Sequence, residues 1–166
     1  MSDVEGRTNV LITVNFSDEI ISRIQEVSDQ LNVMHHTTAV PDDVWDAAEV
    51  LCTARLYPEP SQVPNLRWIQ LISAGFNRAL REPIANTEQV IVTSASGIHA
   101  RQIANYCLMM ILAFNYKLPK MLFFQRRNEW PNNRDQFNPL GLHQQTLGIV
   151  GYGSIGRELA RIANAM

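Results

Sequence analysis

The chain has 166 residues, of which 46% are hydrophobic and 18% charged, and its formal net charge is -2. These values are typical of a globular protein that can bury a real core. The weak negative charge argues against nucleic-acid binding, which needs clustered basic side chains. No apolar run reaches the roughly 18 residues of a membrane span, and neither a targeting signal nor a metal-ligand cluster stands out. Cys52 and Cys107 lie in apolar runs, so we expect free thiols and a cytoplasmic protein.

The first half of the chain alternates short apolar runs with helical patterns. The β-branched run at Val10–Val14 predicts a buried strand. A helix should follow, because Ser17 suits an N-cap and apolar residues keep helical spacing from Ile20 to Leu31. Further strands are predicted at 32–36, 50–54, 67–73 and 90–96, with a short helix at 41–49 and a proline-rich loop at 57–65.

This alternation implies a parallel sheet joined by right-handed crossovers. All loops that follow strands then lie at one edge of the sheet. Ligands of open parallel sheets bind at that edge.

The second half begins with a long apolar helix, predicted from His99 to about Leu118 and limited by Pro119. Because the helix is apolar on most faces, we expect it to be covered nearly all round, either in a core or between two domains. Residues 120–145 combine an amphipathic piece with a loop rich in Asn, Pro and Gln. Aromatic residues of this segment form either a partner surface or a local core. They are Phe123, Phe124, Trp130 and Phe137.

The segment GYGSIG fits the pattern G-x-G-x-x-G, and it stands between a strand pattern, TLGIV, and apolar residues at helical spacing. Gly151 allows a tight turn, Gly153 lets the backbone approach a pyrophosphate, and Gly156 lets the helix sit close to the strand. The alternative is a glycine turn that binds nothing. The backbone amides of Ser154 and Ile155 should point at the phosphates. The expected cofactor contacts are Gly151, Tyr152, Gly153, Ser154, Ile155 and Gly156. The acidic residue that distinguishes NAD from NADP is expected about 20 residues after the glycines, past Met166. The expected cofactor is therefore NAD or NADP, without a choice between the two.

Three segments in order, 65–77, 92–114 and 146–160, resemble the N-terminal half of the D-isomer-specific 2-hydroxyacid dehydrogenases. The resemblance implies an α/β fold with a flavodoxin-like substrate domain over residues 1–98. Residues 99–166 would hold an interdomain helix, a dimerisation-type segment and the first β-α of an incomplete Rossmann domain. The implied activity is oxidoreduction between a 2-keto acid and a D-2-hydroxy acid. The implied full-length form is a homodimer that binds neither nucleic acid nor membrane.

The resemblance also implies substrate-binding residues. SAGFN matches the loop whose amides hold the substrate carboxylate, so Ala74 and Gly75 are candidate ligands, and Ser73 and Phe76 shape the pocket. The alternative is a strand-ending turn that needs glycine. Arg55 stands where some relatives carry a substrate-facing arginine, or else it is solvated surface.

Asn105 stands where the family usually has a glutamate, which removes a charge. We assign no catalytic residue, His99 included, because the family's catalytic arginine, glutamate and histidine are expected beyond Met166. The chain is therefore expected to be an N-terminal fragment that is inactive alone, and its standing as an enzyme stays open. The alternatives are a relic or oligomerisation module that pairs with a full-length relative, and an unrelated flavodoxin-like binding domain.

Overall fold

Residues 6–166 are described from a computed structural model of the chain. The chain divides into two compact units, Met1–Ser96 and Gly97–Met166, so the division lies two residues before the predicted boundary. Each unit has its own packing.

The first unit is built on a five-stranded parallel sheet in the order β2-β1-β3-β4-β5. The strands are β1 (Thr8–Ile12), β2 (Leu31–His35), β3 (Val50–Thr53), β4 (Trp68–Leu71) and β5 (Ile91–Ser94). This order is that of the flavodoxin-like folds, and it confirms the predicted α/β class and parallel sheet. The direction in which the chain adds strands reverses between β1 and β3, so the topological switch point lies between these two strands.

The described residues form five helices, two in the first unit and three in the second. They are α1 (Asp18–Gln25), α2 (Asp42–Ala47), α3 (Ala100–Asn115), α4 (Leu118–Arg126) and α5 (Ser154–Ala163). Short 3-10 turns lie at Pro60–Gln62, Ala79–Arg81, Pro83–Asn86, Asp135–Phe137 and Leu142–Gln144. Among residues 6–166 no single helix is long and apolar enough to cross a bilayer. Only α3 and α4 taken together reach that length and composition, and they are bent by 65°.

The main buried cluster of the first unit lies on one face of the sheet. Alternate residues of neighbouring strands point to that face, so Leu51, Ile69 and Leu71 are fully buried. Trp45 of α2 packs in the same cluster. Cys52 lies on the opposite face, where partial burial raises the pKa of its thiol.

The helix after β1 is shorter than predicted, since α1 ends at Gln25 and Leu31 opens β2. The side chain of Gln25 explains the stop: its amide donates to the Leu31 carbonyl at 2.7 Å and accepts from the Val33 amide at 3.0 Å. Ser17 occupies the N-cap position without a side-chain cap bond. Helical spacing from Ile20 to Leu31 was therefore a wrong guide to the end of this helix.

The long helix predicted over 99–118 is two helices. Lys117 takes a left-handed conformation, with φ of 55°, and separates α3 from α4. Pro119 lies in the first turn of α4, where a missing amide proton costs no hydrogen bond. Within its unit α3 is not covered all round, because Met109 and Phe114 are exposed and only Ala104 is buried.

The predicted strand at 146–151 is not formed by the residues that the structure describes. Val150 is fully exposed, and no described segment pairs with this stretch. A strand requires a hydrogen-bonded neighbour, which the apolar pattern alone does not provide. The helix that follows, α5, is present as predicted.

Two isoleucines on neighbouring strands test where the core lies. Ile69 is 0% exposed and Ile91 is 66% exposed. We expect Ile69→Ala to lower the free energy of unfolding by about 2–5 kcal/mol, because it leaves a buried cavity. Ile91→Ala should lower it by less than about 1 kcal/mol. Urea unfolding followed by circular dichroism measures both, and equal losses would contradict this assignment of the core.

Candidate substrate and dinucleotide sites

The carboxyl ends of the strands are tied together by backbone hydrogen bonds just beyond the regular ladders. The amide of Thr13 donates to the Cys52 carbonyl at 2.9 Å, and the amide of Ile72 donates to the Thr53 carbonyl at 3.2 Å. The amide of Ala95 reaches the Ser73 carbonyl at 3.0 Å. The loops after β1, β3 and β4 therefore start from one ordered edge.

The predicted substrate loop, Ser73–Phe76, leaves β4 at this edge and is exposed. The Ser73 hydroxyl donates to the Gly75 carbonyl at 2.7 Å. The Phe76 carbonyl accepts from the Leu80 amide at 3.2 Å, which anchors the far end of the loop. Among the described residues, the amides of Ala74, Gly75 and Phe76 find no backbone acceptor. The loop thus presents consecutive free donors, as a carboxylate cradle requires.

Gly75 has no internal reason to be glycine. Its φ is not in the left-handed region. A Cβ built on it would meet nothing within 4 Å. Neither backbone strain nor packing within the chain demands glycine there, so the open space beside the free amides is available to a ligand.

Arg55 lies two residues after β3 at the same edge and is exposed. The side chain of Thr53 holds the start of this loop, since its hydroxyl donates to the Leu56 carbonyl at 2.9 Å. Thr53 is not among the site residues predicted from the sequence. The available signal was a threonine at the end of an apolar strand, two residues after Leu51 and therefore on the same buried face.

Tyr57, in the same loop, packs against the core of the unit. Partial burial raises the pKa of its phenol, the nearby charge of Arg78 lowers it, and Glu82 raises it. Tyr57 therefore stays protonated near neutral pH and adds a hydroxyl, not a charge, to this side of the sheet.

In the second unit the three glycines of the GYGSIG segment, here called the fingerprint, differ in what the structure requires of them. Gly151 has φ of 93°, a conformation that favours glycine. A Cβ on Gly156 would overlap the Gly151 carbonyl oxygen and lie 3.2 Å from the Ile149 side chain. Gly153 has ordinary dihedral angles, and a Cβ on it would meet nothing within 4 Å. Gly151 and Gly156 thus serve the turn and its packing, whereas Gly153 leaves space beside the helix end.

That helix end can hold an anion. Gly153 is the N-cap of α5, and its carbonyl accepts from the Arg157 amide at 2.9 Å. The amides of Ser154, Ile155 and Gly156 belong to the first turn, where no intrahelical acceptor exists. These donors and the helix dipole suit a phosphate group. Tyr152 precedes them with its side chain exposed.

Charged side chains line a groove of about 430 Å³ between the N-terminal parts of α3 and α5. Glu158 accepts two bonds of 2.8 Å from Arg161, and Arg101 lies 4.0 Å away. The hydrogen bonds to Arg161, with the charges of Arg161 and Arg101, lower the pKa of Glu158. Arg157 lines the same groove.

Two other positions of α3 lie where the sequence placed them. His99 is the N-cap residue of α3 and makes no side-chain cap bond. Asn105 is exposed. Among the described residues no histidine has a carboxylate within 4 Å, and no cluster of three metal-binding side chains occurs.

The aromatic segment after α3 divides into an inner and an outer pair. The rings of Phe124 and Phe137 are half-buried and meet edge to face at 5.7 Å. Phe123 and Trp130 are exposed, the latter by 79%. Phe124 and Phe137 therefore form a local core, whereas a partner surface at the exposed Phe123 and Trp130 stays a prediction. The segment also encloses an apolar groove of about 740 Å³.

The chain is similar to known dehydrogenases in sequence. Residues 108–166 match the family model "D-isomer specific 2-hydroxyacid dehydrogenase, NAD binding domain". Glyoxylate reductase of Thermococcus litoralis is 30% identical over 124 residues, which are 71% of this chain and 37% of the relative. Glyoxylate reductase of Aeropyrum pernix is 31% identical over 126 residues, 72% of this chain and 37% of the relative. The chain thus spans little more than a third of the length of these relatives.

Solved structures show the same fold. The structure of D-lactate dehydrogenase from Aquifex aeolicus with NAD and lactic acid has a TM-score of 0.66 and 22% identity, and the match covers 95% of this chain and 48% of that one. A D-isomer specific 2-hydroxyacid dehydrogenase from Lactobacillus delbrueckii ssp. bulgaricus, complexed with NAD, has a TM-score of 0.71 and 17% identity, with coverages of 95% and 50%.

The distinct demands on the glycines predict distinct stabilities. We expect Gly156→Ala to lower the melting temperature of the second unit, because the added methyl group overlaps the Gly151 carbonyl. Gly153→Ala should leave that temperature unchanged within about 2 °C or raise it slightly, since a Cβ there has room and alanine restricts the unfolded chain. Thermal unfolding by calorimetry compares the two variants. A larger loss for Gly153→Ala would contradict the geometry.

The lowered pKa of Glu158 gives a pH dependence. Because the folded-state pKa lies below the ordinary value of 4.5, the ion pair stabilises the fold above about pH 4.5. That contribution is lost as the pH falls through the folded-state pKa. The effect should be small and reduced by salt, because the Arg161 side chain of the pair is exposed. Amide hydrogen exchange of α5 between pH 3 and 6 should show the loss in the wild type and not in Glu158→Gln. Identical profiles would contradict the assignment.

Proposed function

We propose that this chain, which belongs to the D-isomer specific 2-hydroxyacid dehydrogenase family, supplies the carboxylate cradle and the pyrophosphate site of an oxidoreductase. That enzyme would interconvert a 2-keto acid and a D-2-hydroxy acid by hydride transfer. The family is NAD-dependent, and its curated relatives include glyoxylate reductases.

The observation that carries the proposal is the open space at Gly153. The turn and its packing require glycine at Gly151 and Gly156, whereas Gly153 lies beside free amides of α5 with no such requirement. A dinucleotide pyrophosphate has the negative charge and size for this position. Ser154 and Ile155 would hold it through their amides, and Gly151 and Gly156 would keep the turn in place. The bound cofactor would supply or accept the hydride.

The substrate part of the proposal rests on Ser73–Phe76. Free amides at Ala74 and Gly75 can each donate a charge-assisted bond to a carboxylate, worth roughly 1.5–3 kcal/mol. The Ser73 hydroxyl, bound to the Gly75 carbonyl, keeps the loop in the conformation that exposes them. This cradle binds the group that all 2-keto acids share, and it orients the carbonyl carbon next to that group for reaction.

We propose that residues 1–166 alone hold ligands without turning them over. Among the described residues no histidine has a carboxylate partner that would orient it as a proton donor. General acid catalysis of carbonyl reduction needs such a group within hydrogen-bond reach. We also propose a cytoplasmic location, because both cysteines are free thiols.

A second candidate function is pairing with another copy or with a longer relative. The exposed pair Phe123 and Trp130 and the apolar groove beside it favour this reading. Basic residues Arg127 and Arg134 stack on these two rings at 5.2 and 5.6 Å, which orients the rings on the surface. A dimer built on this segment is compatible with the dehydrogenase proposal.

The proposal predicts NADH binding without turnover. Titration of the chain with NADH, followed by its fluorescence, should show saturable binding that Gly153→Ala weakens at least about tenfold, because the methyl group fills the space of the pyrophosphate. Gly148→Ala is the matched control, since a Cβ there also meets nothing within 4 Å; its affinity should equal that of the wild type.

Absorbance at the NADH band with glyoxylate should not change. No NADH binding, or an equal effect of both variants, would contradict the site. Turnover by the purified chain would contradict the claim that residues 1–166 are inactive alone.

A further inference from the structure

We propose that Thr53 is a positioning residue that shapes the turn carrying Arg55, so that the Arg55 guanidinium is presented to the carboxylate of a 2-keto acid. This inference rests on the proposed function and deepens it. It adds the Arg55 cation, on a turn held by Thr53, to the backbone cradle at Ser73–Phe76.

Thr53 is the one polar side chain that is fully buried among the described residues, with 0% exposure. It ends β3 on the core face of the sheet, beside Leu51. A valine has nearly the same shape and would avoid burying a hydroxyl, which is unfavourable unless the hydroxyl is hydrogen-bonded. The role of Thr53 is therefore to be found in the bonds that its oxygen makes.

The Thr53 hydroxyl uses its full bonding capacity of one donor and two acceptor positions. It donates to the Leu56 carbonyl at 2.9 Å and accepts from the Leu56 amide at 3.1 Å. It also accepts from the Thr13 hydroxyl at 2.9 Å. One side chain thus binds both backbone groups of Leu56, which closes a turn around Ala54 and Arg55.

The turn lies where the sheet offers a ligand site. Thr13 follows β1 directly and Thr53 ends β3, and these two strands flank the topological switch point. The Thr53 carbonyl accepts from the amide of Ile72, the residue before Ser73. The turn with Arg55 and the cradle of free amides therefore leave two hydrogen-bonded strand ends side by side.

Arg55 is exposed, and none of the described carboxylates lies within 4 Å of its guanidinium. Its charge is available for a charge-assisted hydrogen bond. On a mobile turn, the entropy cost of ordering the turn would offset part of the binding free energy of this bond. A turn closed by Thr53 is ordered before the ligand binds, which avoids that cost.

The test is an NMR titration of the whole chain with glyoxylate, observing the backbone amides and the Arg55 side-chain N–H. In the wild type, Ala74, Gly75 and the Arg55 side chain should all shift. Thr53→Val should remove the Arg55 response and weaken glyoxylate binding about threefold to tenfold, the range of a lost hydrogen bond. Its amide spectrum reports whether it is folded. Thr53→Ser, which keeps the hydroxyl, should restore both signals.

Thr13→Val is the matched control, because it leaves both bonds between Thr53 and Leu56 in place. Its affinity should be close to that of the wild type. In an Arg55→Ala background, Thr53→Val should cause no further loss, which separates positioning of Arg55 from general destabilisation.

The possible failures are distinguishable. If Ala74 and Gly75 do not shift in the wild type, the proposed function is wrong, and this inference with it. If they shift but Thr53→Val keeps full affinity, or if it weakens binding equally without Arg55, this inference alone is overturned. An effect of Thr13→Val as large as that of Thr53→Val would overturn it as well.

Discussion

Parallel hydrogen bonding between β1 and β3 is the constraint on which the first unit depends. The register that pairs Val10 with Val50 runs on through Ile12 and Cys52 and brings Thr13 beside Thr53. Because the neighbouring strands are parallel too, all the loops that follow them start from this one edge. The cradle at Ser73–Phe76 and the turn with Arg55 are consequences of that arrangement, and a reversed strand would separate them.

The second unit depends on a different constraint, which is how closely its backbone must pack. Gly156 allows α5 to begin directly over the Gly151 carbonyl, and Gly151 supplies the left-handed turn that makes this approach possible. Gly75 in the first unit and Gly153 in the second share the opposite property, since the chain itself leaves the space beside them empty. A glycine with no internal demand, next to unused amides, is the feature common to both candidate ligand sites.

The sequence predicted the sheet well, because β-branched runs bounded by polar residues and prolines mark strands locally. Helix ends were harder, since they depend on side chains acting at a distance. The spacing of apolar residues after Ile20 did not reveal that Gln25 would bond to the backbone of β2. The break at Lys117 likewise depends on a backbone conformation for which no glycine is required. The apolar run at 146–151 has the composition of a strand, but pairing also needs a partner.

The same difference between local and long-range causes applies to the candidate sites. The glycine spacing predicted the turn at Gly151 and the close packing at Gly156, because both have causes that operate within six residues, whereas the pyrophosphate contact of Gly153 stays a prediction. Thr53 was missed, because its role comes from a bond to Leu56 and another to Thr13, forty residues earlier in the chain. The contact with Thr13 exists only once the sheet has formed.

A crystal structure of the chain grown with glyoxylate would show whether backbone amides at the carboxyl edge of the sheet form a carboxylate cradle. We expect the glyoxylate carboxylate within hydrogen-bond distance of the Ala74 and Gly75 amides, with the Arg55 guanidinium turned towards it. Glyoxylate bound at another place, with the amides of this loop facing only solvent, would contradict it.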